Sequence, residues 1–260
     1  MTRLFVLLLI SLLTLHNAFA QTPEERGLEI AIEADRRDSG FGDQVTAMRM
    51  TLRNAAGKTS IREVRIKTLE VEGDGDKSIS IFDQPRDVKG TAFLSYTHSK
   101  KADDQWLFLP ALKRVKRIAS RNKSGPFMGS EFSFEDIASF EVDKYTYKYL
   151  RDEEIDGRPL FVIEQFPTYE FSGYTRRIVW LDQEMYQPLK TEFYDRKNSL
   201  LKTLTQYDYQ KYNKQYWRAD RFEMINHQTK KSTTLEWHNY QFQTGLSDRD
   251  FDQNSLKRAR

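Results

Sequence analysis

From Met48 to Phe242 the chain returns again and again to one pattern, in which apolar and polar side chains alternate with a period of two. Met48, Met50 and Leu52 alternate with Arg49, Thr51 and Arg53, and Val64 and Ile66 with Arg65 and Lys67. Farther on, Leu189, Thr191 and Phe193 alternate with Lys190, Glu192 and Tyr194, and Tyr145, Tyr147 and Tyr149 share one face. This is the period of a β-strand with one buried side. The runs are separated by turn signals: Asn54–Gly57, Gly73–Asp76 and the two-residue hairpin signal Asp156-Gly157. Because the connections are short, neighbouring strands are expected to pair antiparallel. Roughly eleven to thirteen strands result, and an open sheet of that size curls or closes. The expected fold is mainly β: a single large curved antiparallel sheet, a half-closed barrel of about eleven or more strands.

Helix is scarce. Thr22 is a suitable N-cap, Pro23 fits the first helical position and Glu25 completes a capping box, so a helix should run from there toward Gly40. Its apolar stripe is read as Leu28, Ala31 and Ile32, a face that must lie against something. A weaker helical pattern spans Asp248–Arg260, and a short helix is expected at Glu135–Phe140. The helices would plug or cover the concave side.

The N-terminus has the three parts of a secretory signal: Arg3, the apolar run Leu4–Leu15 and the small-x-small site Ala18-Phe19-Ala20. Residues 1–20 are expected to be removed after Ala20, leaving one domain over 21–260 in the periplasm. The chain has no cysteine, so there is no lipobox residue and no disulfide. Charges of both signs are mixed and the formal net charge is only +3, which does not point to nucleic acid as a partner.

Catalytic and metal signatures are missing. The histidines are far apart in sequence, so no metal site is expected, and there is no cofactor-binding motif. There is no Gly-x-Ser-x-Gly elbow, and 38 acidic residues make a chance carboxylate pair uninformative. The chain is read as a non-enzyme.

The densest stretch is Asp103–Phe140. Gln105–Leu109 is apolar on both faces, with Trp106 and Phe108 on one and Leu107 and Leu109 on the other, so it needs cover on both sides. Lys113, Arg114, Lys116, Arg117, Arg121 and Lys123 then form a basic run. Such a run is either a solvated hairpin or a contact for anionic headgroups or an acidic partner; Lys113, Arg114, Lys116 and Arg117 are the candidates. Next comes a glycine-punctuated loop carrying Phe127, Met128, Phe132 and Phe134, which either folds back on the sheet or forms a lid over an apolar pocket.

Trp106–Val115, Ser124–Ser130 and Phe134-Glu135-Asp136, with Lys89–Leu94 before them, resemble the outer-membrane lipoprotein-sorting, LolA-like proteins, and in particular the subgroup associated with RND-type exporters. The resemblance implies a half-closed sheet with helices in its opening and a concave face that binds acyl chains. It implies a periplasmic carrier moving lipoprotein acyl chains or lipid from an inner-membrane exporter toward an outer-membrane acceptor. The competing reading is an exporter adaptor without cargo. For a carrier, the expected inward residues are Trp106, Phe108, Leu189 and Phe193, with Phe127, Met128, Phe132 and Phe134 as lid.

Overall fold

The computed structural model describes residues 21–258; the signal segment expected at 1–20 lies outside the described residues. The first element is α1 (Pro23–Asp38), capped as its sequence predicts: the Glu25 amide donates to the Thr22 hydroxyl, and the Thr22 amide donates to the Glu25 carboxylate. Six strands follow: β1 (Asp43–Arg53), β2 (Thr59–Leu69), β3 (Lys77–Gln84), β4 (Ala92–Tyr96), β5 (Asp104–Leu109) and β6 (Arg114–Ile118). After a long connection come β7 (Tyr145–Ile155), β8 (Arg158–Pro167), β9 (Tyr174–Asp182), β10 (Pro188–Asp195), β11 (Leu200–Tyr212), β12 (Tyr216–Asn226) and β13 (Ser232–Phe242). A short helix, α2 (Gln253–Arg258), ends the described chain.

All thirteen strands form one antiparallel sheet in the order β6-β5-β4-β3-β2-β1-β13-β12-β11-β10-β9-β8-β7. Every neighbouring pair but one is consecutive in sequence. The exception, β1 with β13, joins the two meanders in the middle. The free edges β6 and β7 are also consecutive in sequence, so residues 119–144 tie one edge to the other.

That connection reveals the curvature. Phe127 packs on Phe93 of β4 at 5.1 Å between ring centroids, while Asp136 accepts a hydrogen bond from Tyr174 of β9 at 2.8 Å. Eight strand spacings of ~4.8 Å would separate those strands by roughly 40 Å in a flat sheet. The sheet therefore wraps around the connection without closing. Between Glu135 and Phe140 the chain is a series of turns and not the expected short helix, because its polar groups bond to distant partners: Glu135 accepts from the Gly173 amide, Asp136 accepts from Tyr174 of β9, and the Ser139 amide donates to the Thr97 hydroxyl.

Several strands are covered on both faces, as the doubly apolar β5 requires. On the concave side, Met48, Met50, Val64, Phe93, Phe193 and Leu235 pack with the buried Phe127 and Phe132, and Leu107 joins them. On the convex side, Ile79, Ile81 and Leu94 are covered by Phe251 and by Leu256 of α2. Among the described residues, no helix is long and apolar enough to cross a membrane.

Candidate functional site

The concave face, α1 and the 119–144 connection enclose a half-open cavity of about 1410 Å³. Small-molecule pockets run to ~300–1,000 Å³, so this one has room for long chains. Met48, Ile66, Phe193, Leu204, Leu235 and Trp237 provide much of its apolar wall. Several of these also belong to the main core, so wall and core are one cluster.

The helix α1 is apolar on two faces, not one. The face buried on the sheet consists of Gly27, Ile30 and Ala31. It approaches β7 so closely that a Cβ on Gly27 would lie 2.8 Å from the Tyr149 amide nitrogen and 2.9 Å from the Lys148 carbonyl carbon. Of the stripe expected to be covered, Ala31 is buried, whereas Leu28 and Ile32 are corrected: they are 41% and 50% exposed and line the cavity. Glycine allowed the helix to sit down one position away from the most apolar side chains.

The connection is strapped in place by buried polar groups. Lys123 and Lys144 both bond Asp103, joining the two sheet edges through the β4–β5 turn. Lys202 of β11 donates to Asp136 at 2.6 Å and to the Glu131 carbonyl at 2.9 Å. Glu135 accepts from Tyr169, Ser172 and the Gly173 amide; burial and then the neighbouring Asp136 raise its pKa above the usual carboxylate range. The loop folds back on the sheet, and its Phe127 and Phe132 line the cavity.

Acidic groups gather at the mouth, where the end of α1, the β2–β3 turn and the end of the connection meet. Asp35, Asp38, Glu70, Asp76, Glu141 and Asp143 all line it. Burial, reinforced by Glu70, raises Asp76 to about 7. Burial and then Asp76 raise Glu141 to about 7. Asp74 behaves oppositely: burial pushes it up, but bonds from His98, Ser99 and Gly75 hold it at about 2. Among the described residues, no group of three or more acidic or histidine side chains is placed to hold a metal ion.

Among the cations of the lining, Arg218 is paired with Asp38, whereas Arg177 projects from the wall without an ion-pair partner among the described residues. Arg177 of β9 lies in register between Gln165 of β8 and Phe193 of β10. Its Nη2 donates to the Gln165 side-chain oxygen at 2.5 Å, and its guanidinium sits 4.2 Å from the Tyr145 ring centroid.

The expected site residues divide by face. Phe127, Phe132 and Phe193 line the cavity, and Met128 and Phe134 pack against the same cluster. Trp106 and Phe108 do not point inward; they lie on the convex side with Phe251 and Leu256. Leu189 joins another cluster with Leu160, Val162 and Trp180. Alternation identifies two faces without saying which is concave, and where both are apolar the larger residue is no guide. Lys113, Arg114, Lys116 and Arg117 are exposed on the β5–β6 hairpin, away from the cavity wall, beside the 67% exposed Leu112. Arg177 carries no signal in the sequence, since an isolated charge on an alternating strand looks like a solvent-facing position, and the mouth carboxylates carry none because a helix end, a turn and a connection come together only in the fold.

A family model described as "-like: Uncharacterized protein" matches residues 74–258. No curated protein matches the chain. Among solved structures, a domain from Vibrio parahaemolyticus, assigned by its name to outer membrane lipoprotein sorting, is 59% identical, with a TM-score of 0.89 over 90% of this chain and 99% of that one. A DUF1329 family protein from Desulfovibrio piger is 28% identical, with a TM-score of 0.86 over 90% and 99%. A LolA superfamily protein from Nitrosomonas europaea is 20% identical, with a TM-score of 0.71 over 88% and 98%, and shares the fold.

Proposed function

This chain belongs to the LolA-like family of outer-membrane lipoprotein-sorting proteins, and from that premise we propose that it is a periplasmic carrier that holds acyl chains of lipoproteins or lipids in its concave cavity. The observation that carries this reading is the large cavity with its apolar wall, above all the two half-exposed side chains Leu28 and Ile32 that α1 turns toward it. An apolar side chain facing an open wall is stabilised when a chain covers it. At about 0.8 kcal/mol per buried CH₂, a long chain gains enough for reversible holding without covalent chemistry. In this reading residues 1–20 direct export, residues 21–260 form the carrier domain, and no catalytic step is required.

Transfer also needs a place to dock. The exposed β5–β6 hairpin, with Lys113, Arg114, Lys116 and Arg117 around Leu112, suits an anionic headgroup surface. An RND-type exporter and an outer-membrane acceptor would stand at the two ends of the route.

Native mass spectrometry on protein purified from the cell envelope tests the carrier reading and should show co-purifying acyl species. An apo mass together with no binding of a fluorescent acyl probe overturns it. Reversing the four hairpin charges should abolish sedimentation with anionic vesicles and leave probe binding intact. Unchanged sedimentation removes the docking role.

A further inference from the structure

We infer that the cavity contains a built anion site at Arg177, which holds the carboxylate or phosphate end of an acyl amphiphile while its chain lies along the apolar wall. This deepens the carrier reading and rests on it.

The first argument is the contrast between two cations on the same face. In register across the strands run Gln165, Arg177, Phe193 and Lys202. Lys202 is matched by the Asp136 carboxylate at 2.6 Å and a backbone carbonyl. Arg177, on the other side of Phe193, has no carboxylate within hydrogen-bond or ion-pair distance among the described residues; Asp136 acts on it only from farther off. Its hydrogen-bond partner is neutral Gln165, and its Nε is buried without an acceptor. An ionised group in an apolar wall is costly unless paired and hydrogen-bonded. Guanidinium keeps its charge under all relevant conditions, so it cannot escape that cost by losing a proton.

The second argument is preorganisation. Tyr145 at 4.2 Å and Phe140 at 5.8 Å contact the guanidinium, and Gln165 fixes its plane. A planar fork of donors held in this way suits a carboxylate or phosphate. Asp136 does not take this place, because Lys202, the Ser133 amide and Tyr174 already bond its two oxygens. The apolar wall begins beside the guanidinium at Phe193 and Val179, so head and tail would lie next to each other.

Direct binding of four dodecyl probes tests this: dodecanoate, dodecyl phosphate, dodecanol and dodecylamine, with the full mature chain. Wild-type protein should bind at least one of the two anions about tenfold or more tightly than dodecanol, the scale of a charge-assisted hydrogen bond. Which anion binds more tightly distinguishes a fatty-acid from a phospholipid source. Arg177→Gln should erase the preference and leave dodecanol affinity unchanged, and Arg177→Lys should keep part of it. The wild-type comparison needs no variant, so a misfolded Arg177→Gln does not block the test. Equal wild-type affinity for anions and dodecanol overturns the anion site alone. An equal loss for all probes in Arg177→Gln overturns it in favour of a purely structural arginine. No binding of any dodecyl probe overturns the carrier reading itself.

Discussion

Lys202 and Asp136 are almost wholly buried, with side chains 4% and 6% exposed, and together they decide where the 119–144 connection rests on the sheet. Removing one member of such a pair strands the other charge, at a cost of about 3–5 kcal/mol. Lys202→Met should therefore lower stability by that amount in urea unfolding. Lys202→Met combined with Asp136→Asn should be less damaging than Lys202→Met alone, because the amide can stay in place without a counter-ion. A double variant as unstable as the sum of both changes would mean that the two residues act separately. Gly27 works through the absence of a side chain. The atoms that a Cβ would meet are backbone, so no rotamer change relieves the clash. Gly27→Val should destabilise by about 1–3 kcal/mol, the range for overpacking, despite replacing a poor helix former. This glycine also marks a limit of sequence reading. The Thr22–Glu25 cap was legible because it is local chemistry, whereas the use of Gly27 as the contact point depends on a strand more than a hundred residues away.

At the scale of elements, the strands were legible almost to their ends, because alternation and turn residues are local signals and each hairpin joins neighbours in sequence. The direction of each face was not, since it depends on how thirteen strands curl together. Trp106 and Phe108 went to the convex side while their neighbour Leu107 joined the concave core. The cavity mouth is likewise a meeting of distant elements, and it has a titration of its own. Asp76 and Glu141 are raised to about 7, whereas free carboxyls titrate near ~4. Between those values the folded state binds more protons than the unfolded one. The contribution of these two groups to stability must then fall as pH rises from about 4 to about 7 and level off above that. Glu141 lies directly against the β2–β3 turn: a Cβ on Gly75 would be 2.5 Å from its carboxylate oxygen. Glu141→Gln should raise the urea midpoint relative to the wild type at pH 8 and change it little at pH 4. The same difference at both pH values would show that the carboxyl is not the group responsible.

For the whole molecule, the main consequence is that core and cavity are not separate. Met48, Ile66, Phe127, Phe132, Phe193 and Leu235 belong both to the largest buried cluster and to the cavity wall. A chain bound there extends the core, so occupancy should appear directly as stability. Ligand at about 100 times its Kd stabilises by ~2.7 kcal/mol, which for a domain of this size is a rise in Tm of roughly 5–10 °C. Dodecanoate at that excess should produce such a shift in wild-type protein. Two variants separate the contributions. Leu28→Gln with Ile32→Gln changes side chains that are already half-exposed, so the unliganded Tm should barely move while the dodecanoate-induced rise shrinks. Phe127→Ala removes a ring that is 2% exposed, packed between Phe82 and Phe93, and should cost about 3–5 kcal/mol before any ligand is added. A full dodecanoate shift in the α1 double variant would place the chain elsewhere. An unchanged unliganded Tm in Phe127→Ala would show that the connection is not part of the core and that the sheet holds its curve without it.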